Sequence, residues 1–202
     1  LPVRGIKIAF PSNAADMKGL MKSAFYDPNP VIMFEHKGLY WSKVQGTEAA
    51  KCPEPDEDYI IPFGKGRIVQ SASQQKINNG DSLTVITYGM GVHWALNASK
   101  KFPEQIEIVD LRTLNPLDEE MIYESVKRHG KCIVLTEEKV MNSFAESLAG
   151  RISKNCFTFL DAPVEVIGSV NMPAIPLNTI LEKEMLPNAE KVSALIKNLL
   201  EW

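Results

Sequence analysis

The first 41 residues contain two short apolar runs separated by one amphipathic segment. The runs, residues 6–10 and 31–34, predict buried strands. Between them, apolar residues recur at the spacing of one helix face, namely Met17, Leu20, Met21, Ala24 and Phe25. Asn13 is suited to begin this helix, and the prolines within residues 27–30 end it. The pattern predicts one β-α-β unit, and because one such unit cannot cover a parallel sheet on both faces, we expect it to pair with strands outside this chain.

Residues 42–81 contain a segment without periodicity, followed by a short strand pattern. Residues 42–59 lose all periodicity and are rich in Pro, Glu and Asp, which predicts a linker over the surface. Residues 64–70 then predict an edge strand, and the turn residues 78–81 predict a hairpin-like return from it.

From Ser82 onward, apolar strands alternate with amphipathic helices. The predicted strands are residues 83–87, 106–109, 132–135 and 164–167. Asp118 is a suitable N-cap for a helix that ends at Gly130, and a strongly amphipathic last helix follows Asn188. This alternation predicts an α/β fold of three layers, α/β/α, around an open, mostly parallel, doubly wound sheet. The predicted boundaries are a domain end at 1–41, a linker at 42–59 and a second domain at 60–202.

Composition narrows the possible functions. A formal net charge of −3 and the lack of a dense Lys/Arg run argue against a nucleic-acid partner. No apolar stretch reaches the length of a membrane span, so we expect no membrane partner. The three cysteines are far apart and form no CxxC, which disfavours a zinc site or a disulfide framework and favours a reducing compartment such as the cytoplasm. The first residues already resemble the middle of a fold, so we expect a piece of a longer protein.

Gly89 and Gly91 are the most prominent candidate motif. They follow a predicted strand and open a helix, and Asp110 ends the next strand about 20 residues later, as in a dinucleotide-binding fingerprint. The third glycine is missing, however, because Trp94 stands where the helix must pass close to the strand. We therefore favour a structural turn, and a dinucleotide-binding module remains the alternative.

Charged residues also follow two of the predicted strands. Arg112 could form an anion or partner site, or it could pair with Asp110, locally or across an interface, and fix its loop; we favour the second interpretation. Glu137 and Glu138 are adjacent on a strand and so point to opposite faces, which favours solvated or salt-bridged carboxylates over a catalytic dyad. The three histidines, His36, His93 and His129, are isolated in the sequence, and none is assigned a catalytic role.

Taken in order, these segments resemble the beta subunit of the decarboxylating first component of 2-oxo acid dehydrogenase complexes, of the pyruvate or branched-chain 2-oxoisovalerate type. The resembling stretches are residues 5–11, 16–22, 27–31, 35–40, 61–66, 84–89, 110–118, 159–163 and 186–187. Many members of that family have His-Glu-Ala where this chain has Glu137, Glu138 and Lys139, and they have glycines where it has Asn142 and Ser143. These departures concern the local loop and any partner contact there, and not the fold.

The resemblance implies that residues 1–41 end a pyrimidine-binding domain and that residues 60–202 form a transketolase C-terminal-like domain. The family's enzymes bind thiamine diphosphate with Mg²⁺, release carbon dioxide from a 2-oxo acid and pass the acyl group to a lipoyl arm. Their catalytic residues lie upstream of Leu1, so the resemblance implies no catalytic, cofactor or metal residue here, and we expect this piece alone to be inactive and to bind no cofactor. The compartment implied is the cytoplasm, or the mitochondrial matrix in a eukaryote.

The resemblance also implies three partners: an alpha subunit or alpha-type domain, a second beta-type subunit, and the subunit-binding domain of the lipoyl acyltransferase. Glu190, Glu201 and Trp202 of the last helix are candidates for the docking of a basic acyltransferase module. The remaining candidates for partner contacts are Arg112, Glu137 and Glu138. A transketolase or deoxyxylulose-phosphate synthase relative is the other alternative within this fold, although residues 161–163 favour the 2-oxo acid branch.

Overall fold

Two sheets organise residues 3–202, which are the residues that the computed structural model describes. The strands are β1 (Lys7–Ala9), β2 (Val31–Met33), β3 (Arg67–Gln70), β4 (Leu83–Thr87), β5 (Ile106–Asp110), β6 (Thr113–Asn115), β7 (Cys132–Lys139) and β8 (Glu165–Ser169). The α-helices are α1 (Ala14–Tyr26), α2 (Gln74–Asn78), α3 (Met90–Ser99), α4 (Glu119–His129), α5 (Phe144–Asn155), α6 (Thr179–Met185) and α7 (Ala189–Leu200). The smaller sheet has the order β2-β1-β6, and the larger has the order β3-β5-β4-β7-β8.

The larger sheet has helices on both faces. Its strands β5, β4, β7 and β8 are parallel, and β3 is antiparallel at one edge. Neighbouring residues of a strand point to opposite faces, so Ile86 and Val134 pack with α4 and α5, whereas Val85 and Ile133 pack with α3 and α7. The predicted three-layer, mostly parallel α/β/α fold is therefore confirmed.

The helix ends follow the predicted capping chemistry. The side chain of Asn13 accepts a hydrogen bond from the backbone N–H of Asp16 at the start of α1, and Asp118 accepts one from Met121 at the start of α4. Gly130 ends α4 with a left-handed φ of 69°. Asn188 caps α7 through the N–H of Lys191.

The predicted edge strand is confirmed, but the hairpin-like return is wrong. β3 pairs with β5 and not with β4, because β4 already has β5 and β7 on its two sides. The chain between β3 and β4 forms the short helix α2, and the turn residues after Asn78 end that helix and do not close a hairpin.

The smaller sheet corrects a second prediction. β1 pairs in parallel with β2 on one side, as the β-α-β pattern predicts, and on its other side it pairs antiparallel with β6 of the same chain. The side-chain amide of Asn115 also donates to the carbonyl of Ile6, at 2.7 Å. The first unit therefore obtains one neighbouring strand from within the chain and not only from outside it.

Residues 42–59 lie against α1 in several places. Thr47 and Ala50 are buried, and the thiol sulfur of Cys52 accepts a hydrogen bond from the N–H of Ala15 at 3.1 Å. The predicted domain boundaries stay a prediction. Among residues 3–202, no helix combines the length and the apolar character needed to cross a membrane.

Candidate functional site

An ionic network joins the first unit to the carboxyl end of β5. Arg112 lies just after β5, with a left-handed φ of 57°, and its N–H donates to Asp110 Oδ1 at 3.1 Å. Its guanidinium binds Asp16, in the first turn of α1, through Nε to Oδ2 at 3.0 Å and Nη2 to Oδ1 at 2.7 Å. The hydroxyl of Ser12 donates to Asp110, and Arg67 lies 3.5 Å from both aspartates. Two carboxylates and two guanidinium groups thus balance one another at this junction.

Burial sets the electrostatics of that network. Asp16 and Asp110 are both almost inaccessible to solvent. Burial raises the pKa of Asp110, and the hydrogen bond from Ser12 and the charge of Arg67 act in the opposite direction. The paired, two-bond contact between Arg112 and Asp16 is the geometry in which arginine binds carboxylates most strongly. The side chain of Arg112 therefore fixes α1 to the loop after β5. A role of Arg112 at a partner surface stays a prediction.

The turn at Gly89 is shaped by packing. A Cβ on Gly89, which has a φ of 54°, would lie 2.8 Å from the ring of Phe10, and one on Gly91 would lie 2.0 Å from the hydroxyl oxygen of Thr87. Trp94 packs against the core on the α3 side of the larger sheet. Both glycines are thus needed for close approach of neighbouring groups, and the ring of Phe10 packs directly against the turn at Gly89.

His36 forms a polar contact between the segment after β2 and the end of β7. Its Nδ1 accepts from the N–H of Gly38 at 3.1 Å, which leaves Nε2 to donate to Glu137 Oε1 at 3.2 Å. The contact with Glu137 raises the pKa of His36, and burial lowers it. This pair spans 101 positions of sequence, so no local pattern could have revealed it.

The other two histidines are buried and bonded. His93 donates from Nε2 to the carbonyl of Ser12 at 2.8 Å, and burial lowers its pKa. His129 lies at the end of α4, with Nδ1 2.8 Å from Ser82 Oγ and Nε2 3.4 Å from Glu107. This Ser-His-Glu order resembles a catalytic triad, but Ser82, Glu107 and His129 are all buried, so a substrate cannot reach them.

A cleft of about 870 Å³ lies between the end of β7 and the smaller sheet; we call it the β7 cleft. One wall is aromatic. It is formed by four rings, each next to the following one in space, which are Phe34, Phe10, Tyr88 and Phe144. Both Glu137 and Glu138 line it, so the structure brings these two predicted residues to one cavity even though they are adjacent on a strand.

Comparison with known proteins decides the family. A model described as "Transketolase, C-terminal domain" matches residues 73–192. The chain belongs to the transketolase C-terminal domain family. It is 37% identical to the 2-oxoisovalerate dehydrogenase subunit beta of Bacillus subtilis (strain 168), over 98% of this chain and 57% of that protein. It is 35% identical to the pyruvate dehydrogenase E1 component subunit beta of Rhizobium meliloti (strain 1021), over 96% of this chain and 40% of that protein.

These relatives confirm the resemblance drawn from the residues. The chain spans about half the length of the curated relatives that it matches. A solved structure, "Split gene transketolase, inactive beta4 tetramer", superposes with a TM-score of 0.73 at 18% identity, over 99% of this chain and 59% of that one. At that identity the likeness shows the fold alone, and it agrees with the transketolase C-terminal family.

The departure from the family pattern after β7 has a local explanation. Asn142 adopts a left-handed φ of 57°, a conformation that glycine adopts freely and that asparagine tolerates better than most residues. Its N–H donates to the carboxylate of Glu146 at 2.8 Å, and Ser143 caps α5 by accepting from the N–H of Glu146. The asparagine and the serine therefore preserve a turn into α5 at the two positions where glycines were expected.

The three candidates on the last helix lie apart from the cleft, on α7 and just beyond it. Glu190 is exposed in the first turn of α7, where a carboxylate suits the helix dipole. Glu201 lies 3.8 Å from Lys197, and Trp202 is 72% exposed. A partner role for these residues, and for Glu137 and Glu138, stays a prediction.

The resemblance implies that the wider family binds thiamine diphosphate with Mg²⁺. Mg²⁺ bound with a diphosphate needs several oxygen ligands from the protein or the substrate. Within residues 3–202, no group of three or more His, Cys, Asp or Glu side chains is arranged to hold a metal ion. These residues therefore offer no such cluster for the metal of a bound diphosphate, and no catalytic step is assigned to them.

Proposed function

We propose that this chain is the C-terminal part of the beta-type subunit of a thiamine-diphosphate-dependent 2-oxo acid dehydrogenase and that it serves assembly. It contacts an alpha-type subunit, pairs with a second beta-type subunit and docks the acyltransferase in the oxidative decarboxylation of a 2-oxo acid. The support from relatives is their printed identity as beta subunits of 2-oxoisovalerate and pyruvate dehydrogenases. The observation that carries the proposal is the amount of apolar surface left uncovered on this chain.

That surface is concentrated in two places. On α1, Met21, Phe25 and Tyr26 point to solvent, and Phe25 is 82% exposed. After β8, residues 170–181 present a run of exposed apolar side chains, which are Val170, Met172, Ile175, Leu177, Ile180 and Leu181. We call this run the β8 arm. Contiguous exposed apolar surface of this kind marks protein–protein contacts, because leaving it in water is unfavourable.

Each surface is assigned to one partner. The β8 arm adjoins the exposed edge strand of the larger sheet, and we assign it to the second beta-type subunit. A transketolase of the same fold is described as a beta4 tetramer, which supports self-association through beta chains. The α1 surface belongs to the smaller sheet, and we assign it to the alpha-type subunit.

Size-exclusion chromatography with light scattering tests the pairing. We expect this chain to form a dimer, and the double variant Leu177→Asp/Ile180→Asp to elute as a monomer, since two buried charges at an apolar interface are strongly unfavourable. Lys154→Asp, at an exposed site on α5, is the matched control and should remain dimeric. A wild-type monomer at tens of micromolar, together with no complex with an alpha subunit, would contradict the proposal.

Acyltransferase docking is tested at the chain end. Removal of Glu201 and Trp202 should weaken binding of a basic subunit-binding domain, and raising the salt concentration should weaken wild-type binding as well. Glu184→Gln removes an exposed carboxylate from α6 and serves as the control. Unchanged affinity of the truncated chain would show that the docking surface lies elsewhere.

Calorimetry with thiamine diphosphate and Mg²⁺ tests whether this chain binds the cofactor without its partners. We expect no saturable heat from this chain alone, because the cofactor's ligands would come from the upstream part of the subunit and from the alpha-type partner. Stoichiometric binding to the 202-residue chain would contradict an assembly role that excludes the cofactor.

A further inference from the structure

We propose that the β7 cleft binds an arginine side chain presented by a segment of a partner polypeptide. The proposal goes beyond the assembly role, because it concerns neither the β8 arm, nor α1, nor the end of α7. It rests on the shape of the cleft, on its aromatic wall and on the sign of its charges.

The aromatic wall is continuous and partly open. The ring centroids of Phe34 and Phe10 are 5.7 Å apart, those of Phe10 and Tyr88 are 5.4 Å apart, and those of Tyr88 and Phe144 are 5.9 Å apart. Phe34, at the rim, is 48% exposed and therefore offers ring surface to a ligand. A guanidinium group stacks on such a face and is attracted by its negative π cloud.

The uncompensated charge in the cleft is negative. Arg151 is paired with Glu119 at one side, so these two charges cancel. Glu137 is bonded to His36, whereas Glu138 is exposed and its side chain enters no salt bridge within residues 3–202. Burial raises the pKa of Tyr88, and the charges of Glu138 and Glu137 raise it further, which reports the same negative potential.

An anionic ligand is disfavoured by the same geometry. Two backbone N–H groups at and just before the first turn of α5, which could otherwise donate to an anion, are already used. The N–H of Asn142 donates to the carboxylate of Glu146, and the N–H of Glu146 donates to Ser143. The cleft therefore offers acceptors and aromatic faces at the positions where a phosphate would need donors.

A polypeptide source fits the rim of the cleft better than a small free guanidinium compound. The volume of about 870 Å³ is much larger than one side chain. Asn142 and Ser147 lie on the rim, and their side chains make no hydrogen bond with the part of the chain that the structure describes. They are available for the N–H and C=O groups of a bound segment, while its arginine reaches Glu138 through two hydrogen bonds and lies against Phe34.

The test uses the 202-residue chain and three synthetic probes. These are the capped pentapeptide Gly-Ser-Arg-Ser-Gly, the same peptide with Gln in place of Arg, and N-acetylarginine amide. Binding is measured from chemical-shift changes in ¹H–¹⁵N spectra, which detect millimolar affinities. We expect the Arg peptide to bind, with shifts at the end of β7 and at Phe34, and both other probes to bind more weakly.

Variants locate the contact. Glu138→Gln should weaken the Arg peptide about threefold to fivefold, the range expected for one solvent-accessible ion pair. Phe34→Leu should weaken it by a similar factor through loss of the ring face. Glu184→Gln, on α6, should leave binding unchanged.

Three outcomes would overturn the inference. They are equal binding of the Arg and Gln peptides, unchanged binding by Glu138→Gln, and binding of N-acetylarginine amide as tight as that of the peptide, which would identify a single guanidinium compound, and not a polypeptide segment, as the ligand. The assembly role is tested separately, by size-exclusion chromatography of the wild-type chain alone and with an alpha subunit. Failure of either proposal can therefore be recognised without the other.

Discussion

The first unit, built from β1, α1 and β2, and the larger sheet bury their apolar residues in different ways. The larger sheet has two buried clusters, one on each face, and each combines strand residues with two helices. The buried cluster of the first unit consists of Ala9, Leu20 and Ile61. The first unit is held further by Ile8, which joins a buried cluster of the larger sheet, by the pairing of β1 with β6 and by the ionic network of Asp16 and Arg112. Its stability therefore depends on the second part of the chain, whereas the larger sheet has a core of its own.

The largest expected difference between the two regions comes from the same substitution on two strands. Ile133→Ala, in the middle of β7, removes a fully buried side chain and should lower the free energy of unfolding by about 2–5 kcal/mol. Ile32→Ala, on the exposed face of β2, should change it by less than about 0.5 kcal/mol. Urea unfolding followed by circular dichroism measures both. Similar losses would mean that Ile32 is buried as deeply as Ile133.

Arg112→Gln tests the ionic junction. It leaves the buried carboxylate of Asp16 with the amide of Asn13 and with Arg67, 3.5 Å away, and should cost about 3 kcal/mol, the low end for breaking a buried pair. The loss should appear as faster hydrogen exchange in β1 and α1, with β7 less affected.

The matched control for that variant is Arg151→Gln. Arg151 pairs with Glu119 at an exposed position, where an ion pair contributes at most about 1 kcal/mol. Equal exchange in β1 and α1 for both arginine variants would show that the junction is not held by Arg112.

The same contrast separates what the sequence could predict from what it could not. The four parallel strands, the caps at Asn13 and Asp118 and the end of α4 at Gly130 follow from local patterns, because periodicity and capping act over a few residues. β6 was not predicted, since it is only three residues long, is next to Pro116 and is set by its pairing with β1. Short strands of this kind are determined by tertiary contacts.

For the candidate site, too, local patterns identified residues but could not predict their distant partners. Glu137 and Glu138 were identified at a strand end, but the alternation rule separated them, and only the tertiary structure shows that both line one cleft. The partner of Arg112, Asp16, lies 96 positions away, so the sequence suggested the nearer Asp110. The contact of His36 with Glu137 was missed for the same reason.

Acid should destabilise the larger sheet through Glu107 on β5. Burial raises the pKa of Glu107, but hydrogen bonds with His129, Ser125 and Arg128 outweigh it and lower the pKa from 4.5 to about 2. A carboxyl whose pKa is lowered in the folded state contributes stability that is present above pH 4.5 and lost as the pH falls towards 2. The shift corresponds to a contribution of about 3 kcal/mol to the free energy of unfolding.

Glu107→Gln should therefore flatten the dependence of unfolding free energy on pH between pH 4.5 and 2. Asp110→Asn is the control on the same strand. Burial raises the pKa of Asp110, so its protonation adds stability as the pH falls, and this variant should leave an acid slope at least as steep as that of the wild type. An acid slope unchanged by Glu107→Gln would assign the acid lability to other carboxyl groups.

The smallest expected changes in stability come from Gly→Ala substitutions in α5 and α1, and they have opposite signs. Gly150 lies inside α5 with no atom within 4 Å of an added Cβ, so Gly150→Ala should stabilise the chain by about 0.5–1 kcal/mol through helix propensity. Gly19 lies inside α1, where an added Cβ would be 2.7 Å from Ile61 and 2.8 Å from Tyr59. Because these side chains must move, Gly19→Ala should lose at least as much as the helix gains. Thermal unfolding of both variants measures the difference, and a stabilising Gly19→Ala would mean that α1 is packed loosely enough to separate from residues 59–61.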